Sequence, residues 1–242
     1  MNTVLVVMAN TNESLDRTMA SLGGKVPSLH FHTSLLVLSP GFDGEMNWDM
    51  CKGLGFADLS TDAEYPEGLN RGRSIAIVSE SALMILRSGV EFDKTDVIKT
   101  TTNDSVRMEM TTIIDPTNGN IELTHHGGCA LPIPQFHKGE KAEGLTEEWW
   151  VDGPIVYIHH KVLSDVGMFD NAMGENYVFI DYSIRARWLQ HELFLNHDCT
   201  CTFMNKKPYN IVFTNRVKEQ FTICRHNLIR KYGGDVIRTL KA

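Results

Sequence analysis

The sequence is poor in cysteine, and its cysteines follow no pattern that would determine the fold. Its 242 residues include five cysteines, an odd number, and no CxxC pair. Even sets at regular spacing indicate disulfide frameworks and CxxC pairs indicate structural zinc, so neither is expected here. Cys199 and Cys201 alternate along a strand-like stretch and are expected to pack in the core. A reducing compartment, the cytoplasm, is therefore predicted.

Long apolar runs are also missing. No run approaches the roughly 20 residues that span a bilayer, so no transmembrane segment is expected. The opening stretch MNTVLVVMANTNES lacks the basic flank of a signal peptide, and its apolar run is too short for one. It predicts a first β-strand of a soluble protein instead.

Positive charge is in deficit. The chain carries 23 Lys and Arg against 30 Asp and Glu, a net charge of −7. Proteins that coat nucleic acid neutralise phosphates with basic residues, so this balance disfavours that class. The GxGxxG and Walker A phosphate loops are absent too. Functional residues are therefore expected among the polar groups at strand ends.

What is present is the alternation of an α/β domain. A buried strand is predicted over VLVVM (Val4–Met8), a helix over LDRTMASL, and a second buried strand over TSLLVLSPG (Thr33–Gly41). A helix between two apolar strands indicates a parallel β-α-β unit. With 42% hydrophobic residues and no linker, the chain is expected to form one domain over residues 1–242.

The remaining elements are predicted from the same patterns. The stretch 68–89 is interpreted as a loop and then a helix, with one apolar face made of Ile75, Val78, Ala82, Ile85 and Leu86. The other expected elements are a third strand over 96–104, a helix or strand from 107 with a short strand near 121, a strand and short helix over 153–167, a helix over 179–188, a strand over 193–203 and a C-terminal amphipathic helix ending at Gly233–Gly234.

Polar residues follow three of the predicted strands, in the sequences ANTN, SPGFDG and TTND. Ligands of open parallel sheets bind beyond the carboxyl ends of the strands. Asp104, in the last of these ends, either ligates a divalent metal or caps the helix that follows. Arg71 and Arg73 flank Gly72, and they either contact a phosphate or nucleobase or are solvated at the surface.

The second half of the chain contains adjacent tryptophans and an isolated carboxylate. Trp149 and Trp150 cannot face the same way on a strand, so one is expected in the core and the other as a stacking platform, with Asp152 beside them to bind hydroxyls. Asp181 stands in an apolar and aromatic run, where a carboxylate must be paired or used. It is either a helix cap with Arg185 as its i,i+4 partner, or an active-site residue.

The order of features in the first half resembles the family-2-like glycosyltransferases of the GT-A fold. The opening strand, loop and helix are similar to the first unit of that family, and Asp43–Gly44 resemble the acidic turn after its second strand. The family's N-x-G-x-x-x-A pattern matches Asn70, Gly72 and Ala76. Asp104 matches the last position of its DxD metal motif.

The resemblance extends through the second half and so covers nearly the whole chain. The family carries a G-x-FD element and then an ED-x-D-x-x-x-R element, which match Phe169–Asp170, Asp181 and Arg185. Its closing K-[WY]-G helix looks like LIRKYGG, with Lys231–Tyr232–Gly233. The order and spacing of these matches are more specific than any single one.

The resemblance implies an α/β GT-A domain with a mostly parallel central sheet flanked by helices. Residues 1–104 would bind a nucleotide sugar, and residues 105–242 would form the acceptor half with the C-terminal helix. The implied activity is that of a metal-dependent, inverting glycosyltransferase, a hexosyl- or pentosyltransferase. It would move a sugar from a nucleotide-sugar donor to a hydroxyl of a glycan or other acceptor.

The resemblance also implies roles for single residues. Asp104 would hold Mn²⁺ or Mg²⁺, and Asp181 would be the base, with Glu175 as the alternative base. The implied donor-binding residues are Asn10, Asn12, Ser39, Asp43, Arg71, Arg73 and Asn103. The implied acceptor-binding residues are Trp149, Trp150, Asp152 and Arg185.

Several positions depart from the family pattern, and Ser39 replaces an acidic residue of the turn after the second strand. Thr102 stands at the first acid of the DxD motif, and Val178 and Phe179 stand at the ED pair. These departures leave fewer of the acidic residues that a transferase uses for metal binding and catalysis. They motivate a second hypothesis from another class, a catalytically inactive module of the same fold that binds a nucleotide sugar.

Overall fold

The strands of the described residues form one sheet. The computed structural model describes residues 2–22, 31–43, 56–60, 65–92, 105–114, 121–123, 137–138, 143–153, 155–203 and 222–233. The strands within these ranges are β1 (Thr3–Thr11), β2 (Phe31–Asp43), β3 (Phe56–Ser60), β4 (Ala82–Arg87), β5 (Val90–Phe92), β6 (Arg107–Ile114), β7 (Ile121–Leu123), β8 (His137–Lys138), β9 (Leu145–Glu147), β10 (Ile155–Ile158) and β11 (Glu192–Phe203).

The strand order is β3-β2-β1-β4-β10-β6-β11-β5, with β7 and β8 extending from β6 and β9 pairing with β11. Strands β3, β2, β1 and β4 are parallel to one another, and β6 is parallel to β11. Strand β10 lies antiparallel between β4 and β6. Because β10 reverses direction between them, β4 and β6 point the same way. The carboxyl ends of β1, β2, β4 and β6 therefore share one side of the sheet, the carboxyl edge, where β10 begins.

Helices flank this sheet. Within the described ranges they are α1 (Asn12–Leu22), α2 (Tyr65–Val78), α3 (His160–Val166), a 3-10 turn (Asn171–Met173), α4 (Gly174–Trp188) and α5 over 222–233. Helix α1 is amphipathic, because Leu15, Met19 and Leu22 recur at helical spacing and all three are buried. Helix α4 is buried on all sides, since the four consecutive residues 177–180 are all in the core.

Two glycines allow α2 to lie close against the sheet. A Cβ atom on Gly72 would stand 2.3 Å from Val6 Cγ2, and one on Gly68 would stand 2.6 Å from Val37 Cγ1. Both distances are far below van der Waals contact, so only glycine fits at this separation of helix and sheet. Close packing of α2 on the sheet thus explains the presence of Gly72, the glycine of the N-x-G-x-x-x-A pattern.

Most of the predicted elements that fall within the described ranges are confirmed. The first β-α-β unit is parallel, as expected. The ambiguous stretch from residue 107 is a strand, and the elements predicted over 153–167, 179–188 and 193–203 are present. Cys199 and Cys201 are 0% and 2% exposed, which confirms their packing in the core. The third strand predicted over 96–104 lies outside the described residues.

The prediction of one helix with an apolar face reaching from Ile75 to Leu86 was wrong. Helix α2 ends at Val78, which is 87% exposed, and Ala82–Arg87 is strand β4. Glu80, between them, has a positive φ of 48° that stops the helix. The apolar residues on both sides of the break happen to keep helical spacing, which made two elements look like one. Among the described helices, none has the length and apolar character needed to cross a membrane.

Candidate functional site

The polar ends of β1 and β2 lie side by side at the carboxyl edge. Thr11, the last residue of β1, is paired with Asp43, the last residue of β2. Asn10 and Ser39 belong to the same two strand ends. Asn12 is the first residue of α1, directly after β1. Four of the predicted donor-binding residues are therefore grouped at the carboxyl edge of the sheet.

A cluster of charged and aromatic residues lies at the carboxyl end of β4. Arg87 ends this strand and donates from Nη2 to Asp152 Oδ1 at 2.9 Å and from Nε to the Tyr65 hydroxyl at 3.0 Å. Its guanidinium carbon lies 5.3 Å from the centre of the Tyr65 ring. The Arg87 and Asp152 side chains are only 16% and 11% exposed. Tyr65, Arg87 and Asp152 are called the Arg87 cluster below.

Glu175 of α4 lies within electrostatic range of this cluster. It lies in the first turn of that helix and is half-buried. Burial raises the pKa of Tyr65, the Arg87 charge acts against that shift, and the Glu175 charge adds to it. The Tyr65 ring also meets Phe179 of α4 edge to face, with ring centres 6.3 Å apart. Residues from α2, β4, the segment before β10 and α4 thus converge here.

One of the two adjacent tryptophans is in the core and the other is exposed, as predicted. Trp150 is 5% exposed and belongs to the core, whereas Trp149 is 41% exposed. The guanidinium carbon of Arg187 lies 5.6 Å from the centre of the Trp149 ring. Of the two, only Trp149 has the exposure that a stacking platform needs.

The arginines beside Gly72 have different surroundings. Arg71 is exposed and pairs with Glu67 one turn earlier, at 2.7 Å. Arg73 donates from Nε and Nη2 to the carbonyl oxygen of Leu163, at 3.2 and 3.0 Å. Arg73 therefore joins α2 to α3 in this structure.

Asp181 lies in a buried ionic network. Its side chain is 0% exposed, and Oδ2 accepts from Arg185 Nε at 2.9 Å and Nη2 at 2.8 Å. Oδ1 accepts from Lys231 Nζ at 2.7 Å and from the Tyr232 hydroxyl at 2.6 Å. Burial and this hydrogen bond to Asp181 both raise the pKa of Tyr232. Asp181, Arg185, Lys231 and Tyr232 form what is called the Asp181 network below.

The network joins α4 to the C-terminal helix α5. The i,i+4 pair of Asp181 and Arg185, one of the two alternatives drawn from the sequence, is confirmed. Arg185 also donates from Nη1 to the Val166 carbonyl at 2.8 Å. Both Asp181 oxygens are engaged in these contacts, and the role of this residue as a base stays a prediction.

Two further contacts tie the motif residues to this network. Asn70 donates from Nδ2 to the carbonyl of Phe169 at 2.9 Å and accepts from the backbone N–H of Phe169 at 2.8 Å. Asp170 accepts from Lys231 Nζ at 2.7 Å. Partial burial acts to raise the pKa of Asp170, but the hydrogen bonds from Lys231 and from the Ala172 backbone outweigh it and hold the pKa low. The matched motifs thus join α2 and α5 to the segment that precedes the 3-10 turn and α4.

A metal site is not found among the residues that the structure describes. In these ranges, no group of three or more His, Cys, Asp or Glu side chains is gathered as metal ligands would be. Asp104 and Asn103, predicted as the metal ligand and its neighbour, lie outside the described residues. The metal assignment therefore stays a prediction.

Arg87 and Tyr65 were missed as site residues by the sequence interpretation. Arg87 was assigned to a continuous helix, which hid its position at a strand end. The signal was present: ALMILR is an apolar run of strand length that follows the polar break SES and ends in a Ser-Gly turn. Lys231 and Tyr232 were matched to a family helix, and their contact with Asp181 spans about fifty residues of sequence.

Comparisons with known proteins identify a fold but no family. No protein-family model matches the chain, and no curated protein matches its sequence. One similar solved structure is GalNAc-T7 with UDP, GalNAc and Mn²⁺, with a TM-score of 0.54, 15% identity and coverage of 84% of this chain and 44% of that one. Another is a mycobacterial protein, with a TM-score of 0.54, 11% identity and coverage of 95% and 74%.

These similarities show the fold predicted from the sequence resemblance. The chain has a GT-A-like glycosyltransferase fold, a mixed α/β architecture with a mostly parallel sheet flanked by helices. The chain spans less than half the length of the GalNAc-T7 chain. Identities this low establish the architecture, and activity must be argued from the residues at the site.

Proposed function

We propose that the protein is a glycosyltransferase that moves a sugar from a nucleotide-sugar donor to an acceptor hydroxyl, with inversion at the anomeric carbon. The observation that carries this proposal is the convergence of polar groups from both halves of the chain on the carboxyl edge of a GT-A-like sheet. Ligands of open α/β sheets bind at this edge. GalNAc-T7, which shares the fold, was solved with UDP, GalNAc and Mn²⁺.

The donor is assigned to the first half of the chain, residues 1–104, at the ends of β1 and β2. Asn10, Asn12, Ser39 and Asp43 supply hydrogen-bonding groups for the nucleotide there, with Arg71, Arg73 and Asn103 as the further predicted contacts. Asp104 is proposed as the ligand of Mn²⁺ or Mg²⁺. Such an ion, when bound, neutralises charge on a diphosphate leaving group. Asp104→Ala is then expected to abolish metal-dependent nucleotide binding, as measured by calorimetry.

The acceptor is assigned to the second half, residues 105–242. Trp149 supplies an exposed ring on which a sugar face can stack, and Asp152 supplies a carboxylate for hydroxyls. Trp150 contributes through the core packing behind this surface. Arg185, predicted to bind substrate, acts indirectly in this proposal because its guanidinium is held by Asp181.

Glu175 is proposed as the base that takes the proton of the acceptor hydroxyl. It is half-buried in the first turn of α4, and its charge raises the pKa of Tyr65, a member of the Arg87 cluster. Asp181 was the first candidate from the sequence, but it is 0% exposed and accepts four hydrogen bonds. Asp181 is accordingly proposed to position α4, and through it Glu175.

Hydrolysis of nucleotide sugars tests this proposal. A panel of UDP-, GDP- and CMP-sugars is incubated with the protein and Mn²⁺, because a transferase slowly hydrolyses its own donor. Glu175→Gln is expected to lower the rate by about 10²–10⁴-fold, the usual contribution of a general base, with donor affinity little changed. Glu143→Gln, an exposed carboxylate, serves as the control.

The binding-module hypothesis predicts a different result. Val178 and Phe179, which stand at the acidic pair of the family, are 0% and 1% exposed in the core. A protein that binds one nucleotide sugar tightly but releases no free nucleotide, with or without acceptors, would be such a module. No binding of any sugar nucleotide would contradict both hypotheses.

A further inference from the structure

Arg87 lies at the point of the carboxyl edge where the strand order reverses. From β1 the chain passes through α1 to β2 on one side, and it returns through α2 to β4 on the other side. Strand β4 ends beside Met8 of β1, because Arg87 lies opposite Met8 and the Ser88 N–H donates to the Met8 carbonyl at 2.8 Å, whereas β1 continues to Thr11. Ligands of open α/β sheets bind in the crevice at such a reversal.

Stability alone does not explain the charged pair at this point. Arg87 and Asp152 are 16% and 11% exposed, and the flanking residues Val151 and Ile155 are buried in the core. Burying an ion pair gains little over apolar side chains of the same volume, because both ions lose their hydration. A largely buried arginine is better explained by a ligand, and its fork of N–H donors matches the oxygens of phosphate.

We infer that Arg87 binds the diphosphate of a nucleoside diphosphate at the carboxyl edge, and that Asp152 orients the guanidinium and competes with that anion for it. This inference rests on the proposed function, since a nucleotide sugar carries the diphosphate. The Tyr65 hydroxyl accepts from Arg87 Nε at 3.0 Å, and Asp152 accepts from Nη2 at 2.9 Å. These contacts hold the guanidinium in place before a ligand binds, which lowers the entropy cost of binding.

The inference predicts effects of opposite sign for the two members of the pair. Titration calorimetry of the full chain with UDP, GDP, ADP and CDP, each with and without Mn²⁺, measures them. Arg87→Gln is expected to weaken the tightest of these interactions by at least about tenfold, because a charge-assisted hydrogen bond is lost. Asp152→Asn is expected to strengthen it by about threefold to tenfold, because a competing negative charge is removed.

Controls separate this inference from a purely structural ion pair. A structural pair loses stability when either side is replaced, and neither variant then binds nucleotide more tightly. Arg17→Gln removes an exposed positive charge from α1 and should leave the affinity unchanged within about twofold, since exposed charges are screened. Should Arg87→Gln fail to fold, the double variant Arg87→Gln/Asp152→Asn, which leaves no unpaired charge at this position, replaces it and should bind more weakly than Asp152→Asn.

The outcomes distinguish this inference from the proposed function. Unchanged nucleotide affinity in Arg87→Gln, or a double variant that binds as tightly as Asp152→Asn, overturns the role of Arg87 and leaves the proposed transferase intact. Weaker binding of a nucleotide sugar, with unchanged binding of the matching free diphosphate, also overturns it and assigns Arg87 to sugar hydroxyls. If the unmodified protein binds neither these diphosphates nor their sugar derivatives, the proposed function itself fails.

Discussion

Replacing Asp181 with asparagine tests whether this carboxylate stabilises the fold or performs chemistry. The substitution keeps the shape of the side chain and removes its charge. The asparagine side chain would retain one acceptor oxygen, but its amide group would face N–H or O–H donors of Arg185, Lys231 or Tyr232. At least one hydrogen bond is therefore lost, Arg185 loses its buried counter-ion, and Lys231 keeps only the partly exposed Asp170.

The magnitude follows from the exposure of the partners. Breaking a buried ion pair from one side costs about 3–5 kcal/mol, because the remaining charge is uncompensated. Arg185 and Lys231 are 19% and 33% exposed, so water recovers part of that loss. The free energy of unfolding of Asp181→Asn is expected to fall by about 2–4 kcal/mol, a value between the buried and surface limits.

Urea unfolding measures this change, with a surface pair as the control. Glu13 and Arg17 form the same i,i+4 arrangement on α1, with side chains 79% and 38% exposed. Glu13→Gln should cost less than about 0.5 kcal/mol, as exposed helix pairs do. A double-mutant cycle with Tyr232→Phe should show a coupling of about 0.5–3 kcal/mol, since the two residues are in contact.

The same variant separates structure from catalysis. A loss of stability below about 1 kcal/mol, the value of an ordinary cap or exposed pair, would refute the reasoning from burial. If turnover by that stable variant also fell by about 10²–10⁴-fold, Asp181 would be the base that the sequence resemblance implied. A large loss of stability with turnover retained by the folded fraction would leave Glu175 as the base.

Two further predictions concern packing and pH. Gly72→Ala should lower the free energy of unfolding by about 1–3 kcal/mol in urea, despite the better helix propensity of alanine, because its Cβ would overlap Val6. Arg71→Ala, on the exposed face of α2, is the control. Equal stability of the two variants would contradict the close packing of α2 on the sheet. Burial lowers the pKa of His197, and the charge of a neighbouring aspartate only partly opposes this shift. His197 therefore binds a proton more readily in the unfolded state than in the folded state. The stabilisation from neutral His197 is complete above the unfolded pKa of about 6.5 and is lost as pH falls through the lower folded value, so stability should decline as pH falls below about 7. His197→Gln should reduce that slope and exposed His226→Gln should not; equal slopes in both variants would count against a buried, neutral His197.

The sequence predicted the elements whose pattern is local. The continuous apolar run of β1 and the spacing of Leu15, Met19 and Leu22 in α1 are each decided within a few residues, so period and length were sufficient. The prediction for the stretch from Ile75 to Arg87 was wrong because its apolar residues fit a helical period across the short polar break SES, where Glu80 has a positive φ.

The parts of the site that depend on contacts between distant residues were harder to predict from the sequence. Asp152 was singled out for its place beside two tryptophans, but its partner Arg87 is 65 residues away. Asp181 was recognised as an unusual carboxylate, and its partner Arg185, one helical turn on, was predicted from spacing alone. Its contacts with Lys231 and Tyr232 depend on how α5 packs on α4, and no period in the sequence encodes that arrangement.

The antiparallel strand β10 has a consequence for the time at which the Arg87 cluster forms during synthesis. Because β10 begins at the carboxyl edge, the residue that pairs with Arg87 precedes that strand and is made 65 residues after Arg87. At about 5–20 residues per second, roughly 3–13 s separate the two on a ribosome. During that interval the parallel β1–β4 unit must associate through its apolar strands, without its interior ion pair. The charged crevice is thus completed after the sheet that carries it has begun to assemble.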